Sequence, residues 1–468
     1  MAENPPSMPE GEVQPAHEQR TQKIMTISQA VPPAGETPPA RTAPARRILI
    51  ASMVGTTVEF FDFYIYAMAA VLVFPKLFFP REDTATATLQ SLATFALAFI
   101  ARPIGSALFG HFGDRIGRKA TLVTALLTMG VSTVLIGLLP TYASIGVLAP
   151  TLLAICRLGQ GLGLGGEWGG AVLLATENAP PGKLAWYGSF PQLGAPLGFL
   201  CSSAAYLWIS THLSGAQLLA WGWRLPFLAS TVLVGIGLYV RLQLVETPEF
   251  QRVLARGEQV RVPFMTVITR HTRELVLGTL GTVTTFLVFY LMTVFALNWA
   301  TNSLKFPRGD YLLMQMFGVA FFGLTIPVSA ALADRIGGRT MLIIATLAIM
   351  AFGFAFEPLF GAHDRTKVCV FLALGFALTG FTYGPLSSAL ASLFPVHVRY
   401  TGSSLAFNLA GILGASLAPY LASELAADYG VSSVGWYLSA SCVITTAALV
   451  MMGARSTRRG AEPAGELR

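Results

Sequence analysis

Again and again along this 468-residue chain, about twenty residues pass with scarcely a charge; Ala120 to Leu139 and Trp223 to Val240 are two such runs. A helix rises about 1.5 Å per residue, so roughly 20 apolar residues is the length needed to cross bilayer hydrocarbon. Such runs fall near residues 48–75, 87–113, 120–139, 147–173, 186–208, 223–244, 275–300, 311–333, 340–360, 368–393, 403–423 and 434–453. Charged residues make up only 12% of the chain, about half the ~25% of soluble domains. The 46 glycines and 28 prolines would break soluble helices but are tolerated where neighbouring membrane helices re-satisfy the backbone. The sequence therefore predicts an all-α membrane protein of twelve transmembrane helices.

A formal charge of +7 does not indicate nucleic acid, because no soluble domain gathers it into a patch. With the N-terminus inside, the inner connections hold thirteen Lys and Arg and the outer ones seven. The positive-inside rule then places both termini in the cytoplasm. Cys156, Cys201, Cys369 and Cys442 lie singly in spans, so no disulfide is expected, and scattered histidines give no metal site. Residues 1–45, rich in proline and poor in bulky apolar residues, read as a disordered cytoplasmic tail without a signal peptide. Residues 46–244 form one six-helix bundle and 275–454 another. Between them lies a cytoplasmic loop, 245–274, carrying Glu246-Thr247-Pro248-Glu249-Phe250, and 455–468 form a short cytoplasmic tail.

The halves repeat one another. After the second span comes Gly110-His-Phe-Gly-Asp114-Arg115-Ile-Gly117-Arg118-Lys119, and after the eighth Ala330-Ala-Leu-Ala-Asp334-Arg335-Ile-Gly337-Gly338-Arg339. A second echo pairs Pro180 and Tyr187-Gly188-Ser189 with Pro395 and Tyr400-Thr401-Gly402-Ser403. Duplicated bundles of this kind build many secondary transporters. In a six-residue connection, Gly117 and Gly337 supply positive φ. The aspartates can accept hydrogen bonds at a neighbouring helix N-terminus, where the dipole favours an anion, while Arg115, Arg118 and Lys119 stay at the anionic inner leaflet. Gly110 and Arg118 in the first copy become Ala330 and Gly338 in the second, so the second is expected to hold less firmly.

These loops resemble the signature loop of the major facilitator superfamily, which is thought to latch the two halves together. The further stretches Gly55-Thr-Thr-Val-Glu59-Phe-Phe-Asp62, Ala101-Arg102-Pro103-Ile-Gly105, Gly165-Gly166-Glu167-Trp168-Gly169-Gly170 and Arg399-Tyr400-Thr401-Gly402 are similar to the metabolite:proton symporters. Within that family the chain looks most like shikimate-type and unassigned bacterial inner-membrane metabolite carriers. The resemblance implies the twelve-helix major facilitator fold, a latch made of Gly110, Asp114, Arg115, Gly117, Arg118, Asp334, Arg335, Gly337 and Arg339, and substrate or proton handling by Arg157. It also implies transport driven by a proton gradient, with no cofactor and no enzymatic activity. The betaine-type members sense osmolarity through a long C-terminal coiled coil, which is not expected here.

Glu59, Asp62, Arg102, Arg157 and Glu167 lie within spans. At roughly 3 kcal/mol each, exposing all five to lipid would cost about 15 kcal/mol, so they face the interior. Glu59 and Asp62 are three residues apart on one helical face and can share a proton; alternatively either neutralises an arginine, and depth suggests Glu59 with Arg157. Arg157 offers a planar fork to a carboxylate, which favours an anionic substrate. Arg102 and Glu167 lie nearer the inner face and are assigned to the latch network. Gln192, Tyr290, Asn298, Gln315, Tyr383 and Asn408 are candidates to line the same cavity or to join helices.

The stretch Gly161-Leu-Gly163-Leu-Gly-Gly166 matches a dinucleotide fingerprint in form only, since no strand precedes it. Gly194-Ala195-Pro196-Leu197-Gly198 partly resembles the drug-antiporter motif but lacks its Gly-Pro pair. The expectation is a monomeric proton-coupled symporter in the bacterial inner membrane, taking up a small organic acid such as shikimate, 2-oxoglutarate or citrate. A proline or betaine carrier and a proton-driven exporter are the alternatives.

Overall fold

The structure, a computed structural model, describes residue 1 and residues 45–80, 84–243, 251–252, 262–416 and 418–453. The expected terminal tails and the Glu246-Thr247-Pro248-Glu249-Phe250 stretch lie outside the described residues.

Among the described residues, twelve long helical segments, labelled α1 to α12, appear where the apolar runs predict them. In the first half they are α1 Ala45–Leu72, α2 Thr84–Arg115, α3 Arg118–Leu138, α4 Leu148–Thr176, α5 in two pieces (Leu184–Gln192 and Gly194–His212) and α6 Arg224–Leu242. In the second half, α7 is Thr272–Asn302, followed by α8 Arg308–Ile336, α9 Gly338–Gly353, α10 Arg365–Leu393, α11 from Arg399–Gly411 to Ala418–Tyr429, and α12 Val431–Gly453. There is no strand among the described residues.

Eight of these segments are long and apolar enough to cross a membrane on length and composition alone. Of the other four, α2 and α4 carry the charges Arg102, Arg157 and Glu167, α5 is broken at Leu193, and α9 has only 16 residues. Large apolar side chains face outward, for example Ile100, Ile104 and Leu108 along one face of α2, while the charged residues just named are buried. Hydrocarbon outside and polarity inside is the arrangement a bilayer selects.

The two halves repeat in detail. The break in α5 at Leu193 corresponds to a π turn at Ile412–Ser416 in α11, close to 220 residues further on, the same offset as 334 − 114 = 220 between the two aspartates. Another π turn interrupts α7 at Leu291–Phe295. Gln315 stabilises it by donating to the Met292 and Thr293 carbonyls at 3.1 and 2.9 Å, so this residue braces a helix and does not line a cavity. The Gly161–Gly166 stretch sits inside α4, where Gly161 lies against Ala98 of α2 so closely that a β-carbon would stand 2.7 Å from its Cα. Close helix packing accounts for those glycines.

The connections are tighter than a six-residue loop. Helix α2 runs through Asp114 and Arg115, leaving Ile116 and Gly117 to reverse the chain; α8 runs to Ile336, leaving Gly337 alone. Both glycines have positive φ, 125° and 92°, and that is what allows so abrupt a reversal. A short amphipathic helix, Pro263–Arg270, precedes α7 with Val267 buried beneath it.

Candidate functional site

At one end of the bundle the two repeated loops dock across the halves. Asp114, only 1% exposed, accepts from the backbone N–H groups of Tyr400 and Thr401 at 3.2 and 3.0 Å and from the Thr401 hydroxyl at 2.8 Å. These are first-turn groups of α11, with no partner inside their own helix. Arg118 adds an ion pair to Asp114 at 3.1 Å and reaches Glu177 at 3.4 Å, and Arg399 approaches the same Glu177 at 3.6 Å. Gly110 lets α2 approach α11, since a β-carbon would meet the Thr401 Cα at 2.8 Å.

The second copy mirrors the first across the halves. Asp334 accepts from the Ala185 and Trp186 amides at 2.7 and 2.9 Å, at the N-terminus of α5. Here Gly338 replaces the arginine, so these two amides are the only hydrogen bonds seen to Asp334 among the described residues. Lys119 donates to the Leu242 carbonyl at the end of α6, and the corresponding Arg339 donates to the Leu449 and Val450 carbonyls near the end of α12. Arg115 and Arg335 are exposed beside the loops. This end of the molecule, called the latch side below, is closed.

Above the latch the two halves seal against one another. Trp168 of α4 stacks on Phe407 of α11, with centroids 3.7 Å apart and planes 5° from parallel. Its indole N–H donates to Gln192 at 2.8 Å, and Gln192 donates to the Tyr383 carbonyl of α10 at 3.0 Å. Tyr400 donates to the Gly166 carbonyl at 2.6 Å and Asn408 to the Gly165 carbonyl at 3.1 Å. Gln192 thus joins helices and is not a cavity wall.

Between the halves lies a narrow cavity with about 20 Å³ of free volume, room for about one water in this closed conformation. Its polar lining is Glu59, Tyr64, Arg102, Thr285, Tyr290, Tyr383 and Asn408, set among Phe60, Phe286, Phe289, Phe407, Leu164 and Ala195. The Arg102 guanidinium lies over the Phe63 and Phe99 rings at 4.7 and 4.9 Å and hydrogen-bonds Tyr290. Among the described residues, Glu59 Oε2 and Arg102 Nε have no hydrogen-bond partner. A carboxylate and a guanidinium therefore face one closed space, each with bonding capacity to spare.

The remaining intramembrane charges sit behind that wall. Asp62, three residues from Glu59, points elsewhere. It accepts from Ser230 of α6, has Thr133 of α3 beside it, and does not line the cavity. Arg157 is buried behind Phe63 and Tyr66, its guanidinium 4.0 Å from the Tyr66 centroid, and it donates to Gln160 at 3.0 Å. The expected Glu59–Arg157 pair is not formed; the cations acting on Glu59 are Arg102 and Arg241. Arg102, assigned from sequence to the latch, belongs to the cavity. Glu167 pairs with Arg241 rather than with the latch aspartates. Asn298 is exposed and bonds Ser423 and Asn302, far from the role of a cavity residue.

Three participants escaped sequence reasoning. Arg241 counted as a loop cation because it is the penultimate residue of α6, yet it is 2% exposed; the buried acid Glu167 was the signal that a cation had to come inward. Glu177, just past α4, and Tyr64, one turn beyond Phe60 on α1, carried no such signal.

The model of the Major Facilitator Superfamily matches residues 52–419. The inner membrane metabolite transport protein YhjE of Escherichia coli (strain K12) is 56% identical over 410 residues, covering 86% of this chain and 93% of that one. The shikimate transporter of the same organism is 36% identical over 416 residues, covering 87% and 94%. Among solved structures, the proton:xylose symporter XylE bound to 6-bromo-6-deoxy-D-glucose superposes with a TM-score of 0.68 over 87% of this chain and 95% of that one, at 18% identity. The duplicated bundles, the crossed docking of Asp114 and Asp334 and these matches lead to one identification: the chain is a membrane transport protein belonging to the Major Facilitator Superfamily.

Proposed function

We propose that the protein is a proton-coupled symporter taking up a small organic acid across the bacterial inner membrane by alternating access. One observation carries this reading: Glu59 and Arg102 line the same cavity, each with an unsatisfied polar atom. An ionised Glu59 is a counterion for Arg102. Protonation of Glu59 releases the guanidinium, and a substrate carboxylate takes its place in the planar fork. Proton and anion then enter together, and the charge of the cavity stays the same whichever carboxylate faces Arg102. Tyr64, Tyr290, Tyr383 and Asn408 offer hydroxyl and amide groups to a hydroxylated or oxo acid.

The Arg- and Lys-rich latch side is placed in the cytoplasm, by the positive-inside rule. Both described ends, at α1 and α12, are on that side. The name of one relative, the shikimate transporter, supports an organic acid as the substrate class.

Right-side-out vesicles under an inward proton gradient, supplied with labelled shikimate, 2-oxoglutarate, citrate, proline or betaine, test the reading. Accumulation of an acid that collapses with a protonophore is expected. Glu59→Gln should lose accumulation yet retain measurable counterflow. Accumulation that survives the protonophore refutes proton coupling. A zwitterion such as proline is the second reading, because its two charges would match Glu59 and Arg102 at once; preferential uptake of proline, with Glu59→Gln abolishing binding itself, would establish it.

A further inference from the structure

The cavity leaves two intramembrane carboxylates, Asp62 and Glu167, without a task, and of these Glu167 is the one paired with a cation beside α1. Glu167 is fully buried on α4. One oxygen is ion-paired with Arg241, and the other, Oε2, has no hydrogen-bond partner among the described residues. Arg241 comes from the latch end of α6 and is anchored by a 2.9 Å hydrogen bond from its Nη1 to the Leu122 carbonyl of α3.

The guanidinium fills a notch at Gly55 on α1, where a β-carbon would stand 2.9 Å from its Cζ. Gly55 precedes Glu59 by four residues, about 6 Å or roughly one turn along the helix. Arg241 therefore binds Glu167 while sitting a turn from Glu59, and Glu59 feels the charges of both. The next residue of α6, Leu242, receives the hydrogen bond of Lys119 from the latch loop at 2.7 Å. From the cavity toward the latch the order is Glu59, then the Arg241–Glu167 pair, then the loop.

We propose that Glu167 is a second proton-carrying carboxylate, and that Arg241 is the mobile countercharge between it and Glu59, forming the proton's exit route to the latch side. This rests on the proton-symport reading. The proton on Glu59 moves to Glu167 Oε2: the O–H bond at Glu59 breaks and one at Glu167 forms. The guanidinium then leaves the neutral Glu167 for the newly charged Glu59. The trio is electrically neutral before and after, so no net charge is created in the low-dielectric interior. When the latch opens, Glu167 gives its proton to water and reclaims Arg241. Glu59 is left to Arg102 and displaces the substrate carboxylate, which ties proton release to substrate release.

Glu167→Gln alone would strand a buried guanidinium, so the decisive variant is the neutral pair Glu167→Gln/Arg241→Gln in full-length protein reconstituted into vesicles. With labelled shikimate as probe, counterflow should persist while gradient-driven accumulation falls to simple equilibration. Accumulation at the wild-type ratio overturns the relay and leaves symport intact. Absence of gradient-driven accumulation by wild-type protein for every compound in the panel overturns symport and the relay together. A substrate-free measurement stands beside these, namely the infrared carboxyl band of the purified protein titrated with pH. Arg241→Gln, which takes the countercharge away from Glu167, should add a protonated-carboxyl component to this band, and adding Glu167→Gln should remove that component. An added component that survives Glu167→Gln, or no added component at all, would show that Glu167 does not hold a proton.

Discussion

Replacing each latch aspartate by asparagine should open the latch very unequally. Asp114 accepts three hydrogen bonds from the first turn of α11 and an ion pair from a fully buried Arg118. In Asp114→Asn the guanidinium loses the nearer of its two charged partners and keeps Glu177 at 3.4 Å, and an amide NH2 is turned toward backbone N–H donors. Breaking a buried pair from one side costs about 3–5 kcal/mol. Asp334 is partly exposed and accepts only the two amides of α5, so Asp334→Asn should cost about 1–2 kcal/mol. At 1.4 kcal/mol per tenfold, the closed-to-open ratio falls by at least ~100-fold in the first variant and by about tenfold in the second. Spin labels on Ile116→Cys and Arg335→Cys, both exposed on facing latch loops, report the two populations as a distance distribution in a cysteine-free background. Equal opening in the two variants, or greater opening with Asp334→Asn, would refute the argument from donor number and burial.

Two further substitutions separate neighbouring roles. Arg102→Lys replaces the fork facing the cavity with a point charge and should raise the KM for an accumulated acid about tenfold, whereas Arg157→Lys should leave KM nearly unchanged and lower thermal stability by about 1–2 kcal/mol through loss of the Tyr66 and Gln160 contacts; the reverse pattern in transport kinetics would move the anion site behind Phe63. Gly117→Ala and Gly337→Ala force a β-carbon into positive φ at about 1–2 kcal/mol each, whereas Gly338→Ala, in a helix with the nearest atom 3.3 Å away, should be nearly neutral; scanning fluorimetry that finds the three alike would remove φ as the reason for these glycines.

The helices and the latch were legible because their causes are local or repeated. Twenty apolar residues constrain a segment whatever its neighbours do, and all twelve expected spans have a helical counterpart. The repeat supplied a second copy of each latch residue, so the dipole argument for Asp114 made a checkable claim about Asp334, and both aspartates reach a helix N-terminus. What the sequence concealed was reach across the fold. Ile116 and Gly117 make a shorter reversal than a six-residue loop because helical winding continues through the aspartates themselves, something only the φ of Gly117 and Gly337 reveals.

The cavity was harder because burial and orientation are different properties. Charge inside a span identifies Glu59, Asp62, Arg102, Arg157 and Glu167 as interior without saying which interior each one faces. Glu59 and Asp62 share a helical face at three-residue spacing, yet roughly 60° of rotation between them is enough to aim Glu59 at the cavity and Asp62 at Ser230 on α6. The same logic exchanges the two arginines. Arg157 looked deeper and so better placed, but Phe63 and Tyr66 stand against its guanidinium, while Arg102 passes Phe63 and Phe99 to reach Tyr290. An aromatic wall one side chain thick thus divides the first half into an enclosed cluster around Arg157 and a cavity between the halves. Buried polar atoms without a hydrogen bond occur on both sides of it, on Asp62 as on Glu59 and Arg102, so what singles out Glu59 and Arg102 is that they share the space between the halves, where a proton or an anion binds without breaking a bond already made.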